Sequence, residues 1–304
     1  MSQLVPTLRA LLAEADGHMA ARQPAKARKG FEDLLATAQE KADHAMTVIA
    51  RSMLARIAVH RRAADEARAQ LADAALSLDP RHLESHGRYR ASLARLAVLE
   101  GPEEAARAEL RHYLDWAETE QRWDEAVDAL DLLASHSGHG AEAREWLDHA
   151  VEIATMHGIH DQLGRLYTHL AALFEHDEKR DRALDAHQQA LAAYRVHGSQ
   201  REVVAGCWAV GASGLAMEDW PLARRLLEEC LSRAENDGDC QDLVPLALAD
   251  MAAVHECTGD EVEARRLLID ALEKAREQDL PTFWPERWAA MARQATRLGL
   301  HDHA

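Results

Sequence analysis

Aromatic residues make up only 5% of the 304-residue chain, and glycine and proline occur just 15 and 8 times. So few rings leave a β-sheet little to be built from, and so few breakers leave long helices uninterrupted. No run of 18 apolar residues is present, which excludes a hydrophobic spanning helix. The first residues, Met1-Ser2-Gln3-Leu4-Val5-Pro6, carry neither the basic leader nor the apolar stretch of a secretory signal. These absences predict a soluble protein in the cytoplasm. Four cysteines, Cys207, Cys230, Cys240 and Cys257, share no C-x-x-C spacing, so no disulfide frame is expected and they read as small buried hydrophobes.

Positive charge is also scarce. With 35 Lys+Arg against 52 Asp+Glu the formal charge is -17, which argues against partners that need a broad positive field, nucleic acid and anionic membranes. The deficit is local: residues 1–115 hold 17 basic against 16 acidic side chains, residues 116–304 hold 18 against 36. Motifs of chemistry are missing as well. There is no P-loop, G-x-G-x-x-G, G-x-S-x-G, H-E-x-x-H or EF-hand loop. The H-x-x-H spacings His136/His139 and His157/His160 have no sequence-placed third ligand, so they read as solvated turn histidines. No catalysis, metal or cofactor is expected.

What the chain does have is a repeat. A leading Ala is followed four residues on by a bulky or ring side chain and seven residues on by a small or apolar pair, seven times over. The frame runs Ala27-Phe31-Leu34, Ala67-Leu71-Ala74, Ala106-Leu110-Tyr113, Ala143-Leu147-Ala150, Ala183-His187-Ala190, Ala223-Leu227-Cys230 and Ala264-Leu268-Ala271. Successive leading alanines are 40, 39, 37, 40, 40 and 41 residues apart. Offsets of four and seven place each set on one helical stripe. Twelve residues before each leading Ala stands Ala15, Ala55, Ala94, Asp131, Ala171, Gly211 or Ala252. A small side chain there lets an antiparallel partner helix come close, and Asp131 is the exception. Turn residues fall between the stripes, as at Gln23-Pro24, Gly101-Pro102, Asp219-Trp220-Pro221, Gly259-Asp260, His157-Gly158 and Asp237-Gly238-Asp239.

These positions resemble the tetratricopeptide repeat: Ala252, Ala264, Leu268 and Ala271 with Gly259 at the turn match its signature well, and Ala15, Ala27 and Phe31 nearly as well. The period near 40 looks like the longer-helix branch seen in kinesin light chains and in sensor arrays of large bacterial transcription activators. The resemblance implies an all-α, right-handed α-solenoid of about seven helix pairs in a single repeat domain over the whole chain. The pairs fall at approximately 8–45, 46–83, 84–120, 121–160, 161–200, 201–240 and 241–280. A capping helix is expected at about 284–299, where Pro285 opens a stripe of Trp288, Met291, Ala295 and Leu298, followed by a frayed tail, His301–Ala304.

The resemblance also implies a binding groove lined by the first helix of each pair. On that frame Arg9, Arg56, His60, Arg88 and Arg95 face inward near the start, with Ile49 and Ser52 beside them; Arg165 follows, then Trp208, Leu215 and Leu246. Four arginines before an apolar stretch suit a protein or peptide partner with an acidic or amphipathic segment, unless the arginines pair with neighbouring acids and Trp208 packs between repeats. The family's clamp for a terminal carboxylate needs Lys and Asn where the first pair has Leu12 and Asp16, so that site is not expected. The leading reading is an interaction scaffold or adaptor. The alternative is a ligand- or peptide-sensing regulatory module acting on a separate output protein. Self-association is left open.

Overall fold

The structure is a computed structural model, described here for residues 7–21, 23–234 and 238–300. Among them there is no strand; the helices are α1 Leu8–Ala20, α2 Pro24–Glu40, α3 His44–His60, α4 Ala64–Ala75, α5 Leu83–Glu100, α6 Glu103–Thr119, α7 Trp123–His136 and α8 Ala141–Met156. Then follow α9 His160–His176, α10 Arg180–His197, α11 Gln200–Ala216, α12 Trp220–Ala234, α13 Val244–Cys257, α14 Glu261–Glu277, the four-residue α15 Leu280–Phe283 and α16 Pro285–Arg297. None is long and apolar enough to cross a membrane. The chain divides into two compact units, Met1–Ile153 and Ala154–Ala304, each taken separately below.

In the first unit α1 to α7, and in the second α9 to α16, pack on their neighbours in sequence, the arrangement of an α-solenoid. The first unit stacks α1 on α2, α3 on α4 and α5 on α6, with α3 also against α5 and α5 against α7. The second stacks α9 on α10, α11 on α12 and α13 on α14, with α16 against α13 and α14. The leading alanines all lie in the core: Ala27, Ala67, Ala106, Ala143, Ala223 and Ala264 are wholly buried, and Ala183 nearly so. Facing them Ala15, Ala55, Ala94, Ala171 and Ala252 are also wholly buried. At Gly211 the reason for smallness is explicit, because a Cβ there would stand 2.8 Å from Leu227 Cγ. Asp131, the exception, is buried all the same, on the 14-residue α7.

The helix ends share one device. Ala42, Arg62, Gln121, Glu178 and Glu218 all adopt left-handed backbone (φ 53 to 59°), as do Gly158 and Gly259. The next amide then donates back across the last turn, as in Asp43 N to Ala38 O (2.8 Å) and Lys179 N to Phe174 O (2.8 Å). That satisfies carbonyls the helix would leave open, and it outweighs the roughly 1–2 kcal/mol that a Cβ costs in this region. At the other end of α11, Ser199 and Glu202 form a reciprocal capping box. Ser199→Ala is expected to lower stability by about 1 kcal/mol in urea unfolding; an unshifted midpoint would show the box to be idle.

Instead of a simple turn, Gly238–Leu243 form a 3-10 helix before α13, and Asp237 lies outside the described residues. So does the tail His301–Ala304. Pro285 opens α16 as its first residue, and Met291, Ala295 and Leu298 are buried in the core of the second unit. Cys207, Cys230 and Cys240 are buried and lie in no disulfide, while Cys257 is exposed. Burial pushes the Cys207 thiol up to about 11 and the Cys230 thiol up to about 12, so neither is a nucleophile at neutral pH.

Candidate functional site

In the first unit the arginines expected to line a groove meet acids. Arg88 forms a two-pronged bond with Asp16, Nη1 to Oδ1 at 2.8 Å and Nη2 to Oδ2 at 2.7 Å, linking α5 to α1. Arg9 donates to Glu84 at 2.7 Å. Arg95, whose side chain is only 11% exposed, holds Asp128 of α7 at 2.6 Å and also donates to the Ala91 carbonyl. Tyr113 completes that cluster by donating its hydroxyl to Asp128 Oδ2 at 3.3 Å. Burial works to lower the Arg95 pKa, but the Asp128 carboxylate more than reverses it.

His60 has its pKa lowered, first by burial and then by Arg56 and Arg95, so those three side chains lie within electrostatic reach of one another. His60 also borders a small cleft of about 360 Å³ with Met19, Pro24 and Ile57. Ile49 and Ser52 differ from expectation. Both are wholly buried, and the Ser52 carbonyl accepts from Ser92 Oγ at 2.8 Å. Because α3 is packed by α2, α4 and α5 at once, the arc it leaves to solvent is narrower than its helical period suggests.

The second unit builds a different site. Leu215 of α11 lines a cleft of about 520 Å³ with Glu175, Arg180, Ser213, Asp250 and Arg287. A second cleft of about 230 Å³, lined by Leu246, Ala253, Met291 and Gln294, shares Asp250 and Arg287 with the first. The two therefore meet at that pair. Trp208 donates its indole N–H to Asp250 Oδ2 at 2.8 Å. The Arg287 guanidinium lies over the Trp208 ring, 4.9 Å from its centroid, while Trp284 meets the same ring edge-on at 6.1 Å. Burial raises the Asp250 pKa, against the pull of Arg287 and of the Trp208 hydrogen bond. Glu175 is held below the ordinary carboxylate range by its hydrogen bond from His187 (3.1 Å), with Arg287 adding to the effect.

Of the residues expected to bind, then, Trp208 and Leu215 stand at this site, Leu246 touches it from a nearly buried position, and Arg165 lines neither cleft and donates to Gln162 at 3.0 Å. Asp250 and Arg287 were missed. Asp250 had a signal: it is the one charged residue between Val244 and Val254 in an otherwise apolar helix. Arg287 had none, sitting on a helix read only for its buried stripe.

No protein-family model and no characterised protein sequence matches the chain. Solved structures do. The signal transduction ATPase with a tetratricopeptide repeat sensor from Pyrococcus horikoshii superposes with a TM-score of 0.72 at 15% identity, covering 93% of this chain and 44% of that one. This chain thus corresponds to less than half of that ATPase. BtubC (BKLC) from P. vanneervenii gives a TM-score of 0.61 at 20% identity, over 73% of this chain and 92% of its own. The apo quorum sensor NprR from B. thuringiensis gives 0.57 at 11% identity, over 97% and 88%. At such identities the likeness speaks for the backbone alone, and it agrees with the buried seven-fold frame: this chain has the fold of a tetratricopeptide helix-pair array.

Proposed function

We propose that the chain is a protein-interaction module whose second unit receives a partner segment in the paired clefts around Asp250. One observation carries this reading: the two clefts, about 520 and 230 Å³, meet at an acid whose only hydrogen bond among the described residues comes from Trp208. Ligand sites are typically concave and furnished with a few aimed polar groups. The inward arginines of the first unit support the role less well, since Asp16, Glu84 and Asp128 already neutralise three of them. A sensory role is the second reading. It is favoured by the sensor named in the Pyrococcus ATPase and by the quorum sensor among the similar folds, and in it the bound segment acts on a separate output protein.

Selection from a displayed library of random 12-residue peptides tests the site. Peptides enriched on the wild-type chain are expected to lose at least about tenfold in affinity, or about 1.4 kcal/mol, on Leu215→Arg, which blocks the larger cleft. They should be indifferent to Arg9→Glu in the first unit. A library that yields no binder, or binders unaffected by Leu215→Arg, would refute the proposal.

A further inference from the structure

Arg287 behaves unlike the other arginines that reach across the packing. Arg88, Arg95 and Arg201 each hold a carboxylate at 2.6 to 2.8 Å. Among the described residues Arg287 makes no ion pair, although Glu175 and Asp250 flank it and line the same cleft. Its guanidinium is held by the face of Trp208 and by the field of two carboxylates it does not touch. An indole face with acids beside it is a setting in which a cation binds well, since ring quadrupole and negative charge act together. The carboxylate at its floor is bonded by one neutral donor, the Trp208 N–H. Asp250 is half-buried where the clefts meet, and a partly desolvated acid that makes no ion pair adds little to folding, which marks it as a group kept for something other than stability.

We propose that Trp208, Asp250 and Glu175 form a recognition notch for an arginine or lysine side chain, and that Arg287 of α16 occupies it as an internal stand-in until a partner segment supplies its own. This rests on the reading that the clefts bind a segment, and it names that segment's anchor: a cationic residue, where the inward arginines had suggested an acidic one. Displacement needs no unfolding of α16. Met291, Ala295 and Leu298 stay seated in the core while the Arg287 side chain turns away, joining the two clefts that it now borders. The tether gives Arg287 an effective concentration on the order of millimolar. A lone amino acid therefore competes poorly with it, and a segment with further contacts in the clefts competes well.

The test uses the full chain, with N-acetyl-arginine amide as probe and N-acetyl-norleucine amide as neutral control, followed at the Trp208 indole N–H by NMR. In Arg287→Ala the vacated notch should bind the arginine probe at least about tenfold more tightly than in wild type, ignore norleucine, and lose the arginine response when Asp250→Asn is added. Asp250→Asn alone keeps an acceptor for the indole, so its melting temperature should stay or rise; a fall would show the carboxylate to be a structural partner and overturn the assignment. So would an Arg287→Ala chain that binds the probe no better than wild type does. If Arg287→Ala loosens α16, Arg287→Gln, which keeps the length without the charge, must give the same gain. Because no partner peptide enters these measurements, their failure leaves the cleft reading standing, and loss of the Leu215→Arg effect leaves the notch to be judged by the probe.

Discussion

Asp128→Ala is expected to cost about 3–5 kcal/mol of folding stability, the largest loss from any single exchange among the polar residues that pair across the first unit's helices. Its carboxylate serves both Arg95 at 2.6 Å and the hydroxyl of the nearly buried Tyr113 at 3.3 Å. Without it, a guanidinium with 11% of its side chain exposed keeps the cost of leaving water and loses its compensation. The penalty is thus the stranded charge, more than the bond itself. The double exchange Arg95→Met with Asp128→Leu should recover most of the loss, because it removes both ions at once. Urea unfolding of the three variants checks this. A loss under about 1 kcal/mol for Asp128→Ala would place the pair among ordinary surface ion pairs.

Removal of residues 285–304 is expected to be comparably severe for the second unit. Met291 and Leu298 are 4% and 5% exposed and Ala295 is wholly buried, while Trp288 lies beneath the Arg276 guanidinium at 5.2 Å. Burying a Met or Leu is worth roughly 1.5–3 kcal/mol each, and deletion also uncovers the surface of α13 and α14 beneath them. The truncated chain should bind a hydrophobic dye, self-associate in size-exclusion chromatography and melt at a lower temperature. Arg297→Ala is the contrast: its pair with Glu256 at 3.1 Å is 59% exposed on the arginine side and is worth under about 1 kcal/mol. An equally stable, monomeric truncation would contradict the capping role of α16.

The repeat was legible because its cause is local. A leading Ala and a small residue twelve places earlier are demanded wherever two backbones come close, so the requirement recurs with the helix pair and shows as a period. The partners of the inward arginines were not legible in the same way. Asp16 meets Arg88 across 72 residues, and Trp208 meets Asp250 across 42; which side chains coincide at such distances depends on the rotation of each helix against the next. Ile49 and Ser52 were misplaced for a related reason, since a periodicity reports that a face is apolar or small without reporting how many neighbours cover it. At His187 the frame's bulky position holds a ring that bonds Glu175 at 3.1 Å, a departure visible in the sequence whose meaning only the cleft supplied.

Helix packing in each unit involves partners one to three places apart in the chain. Closing each junction therefore brings together segments separated by a short connection, with little loop entropy to overcome. Within each unit folding can start at whichever hairpin forms first and spread to the hairpin beside it.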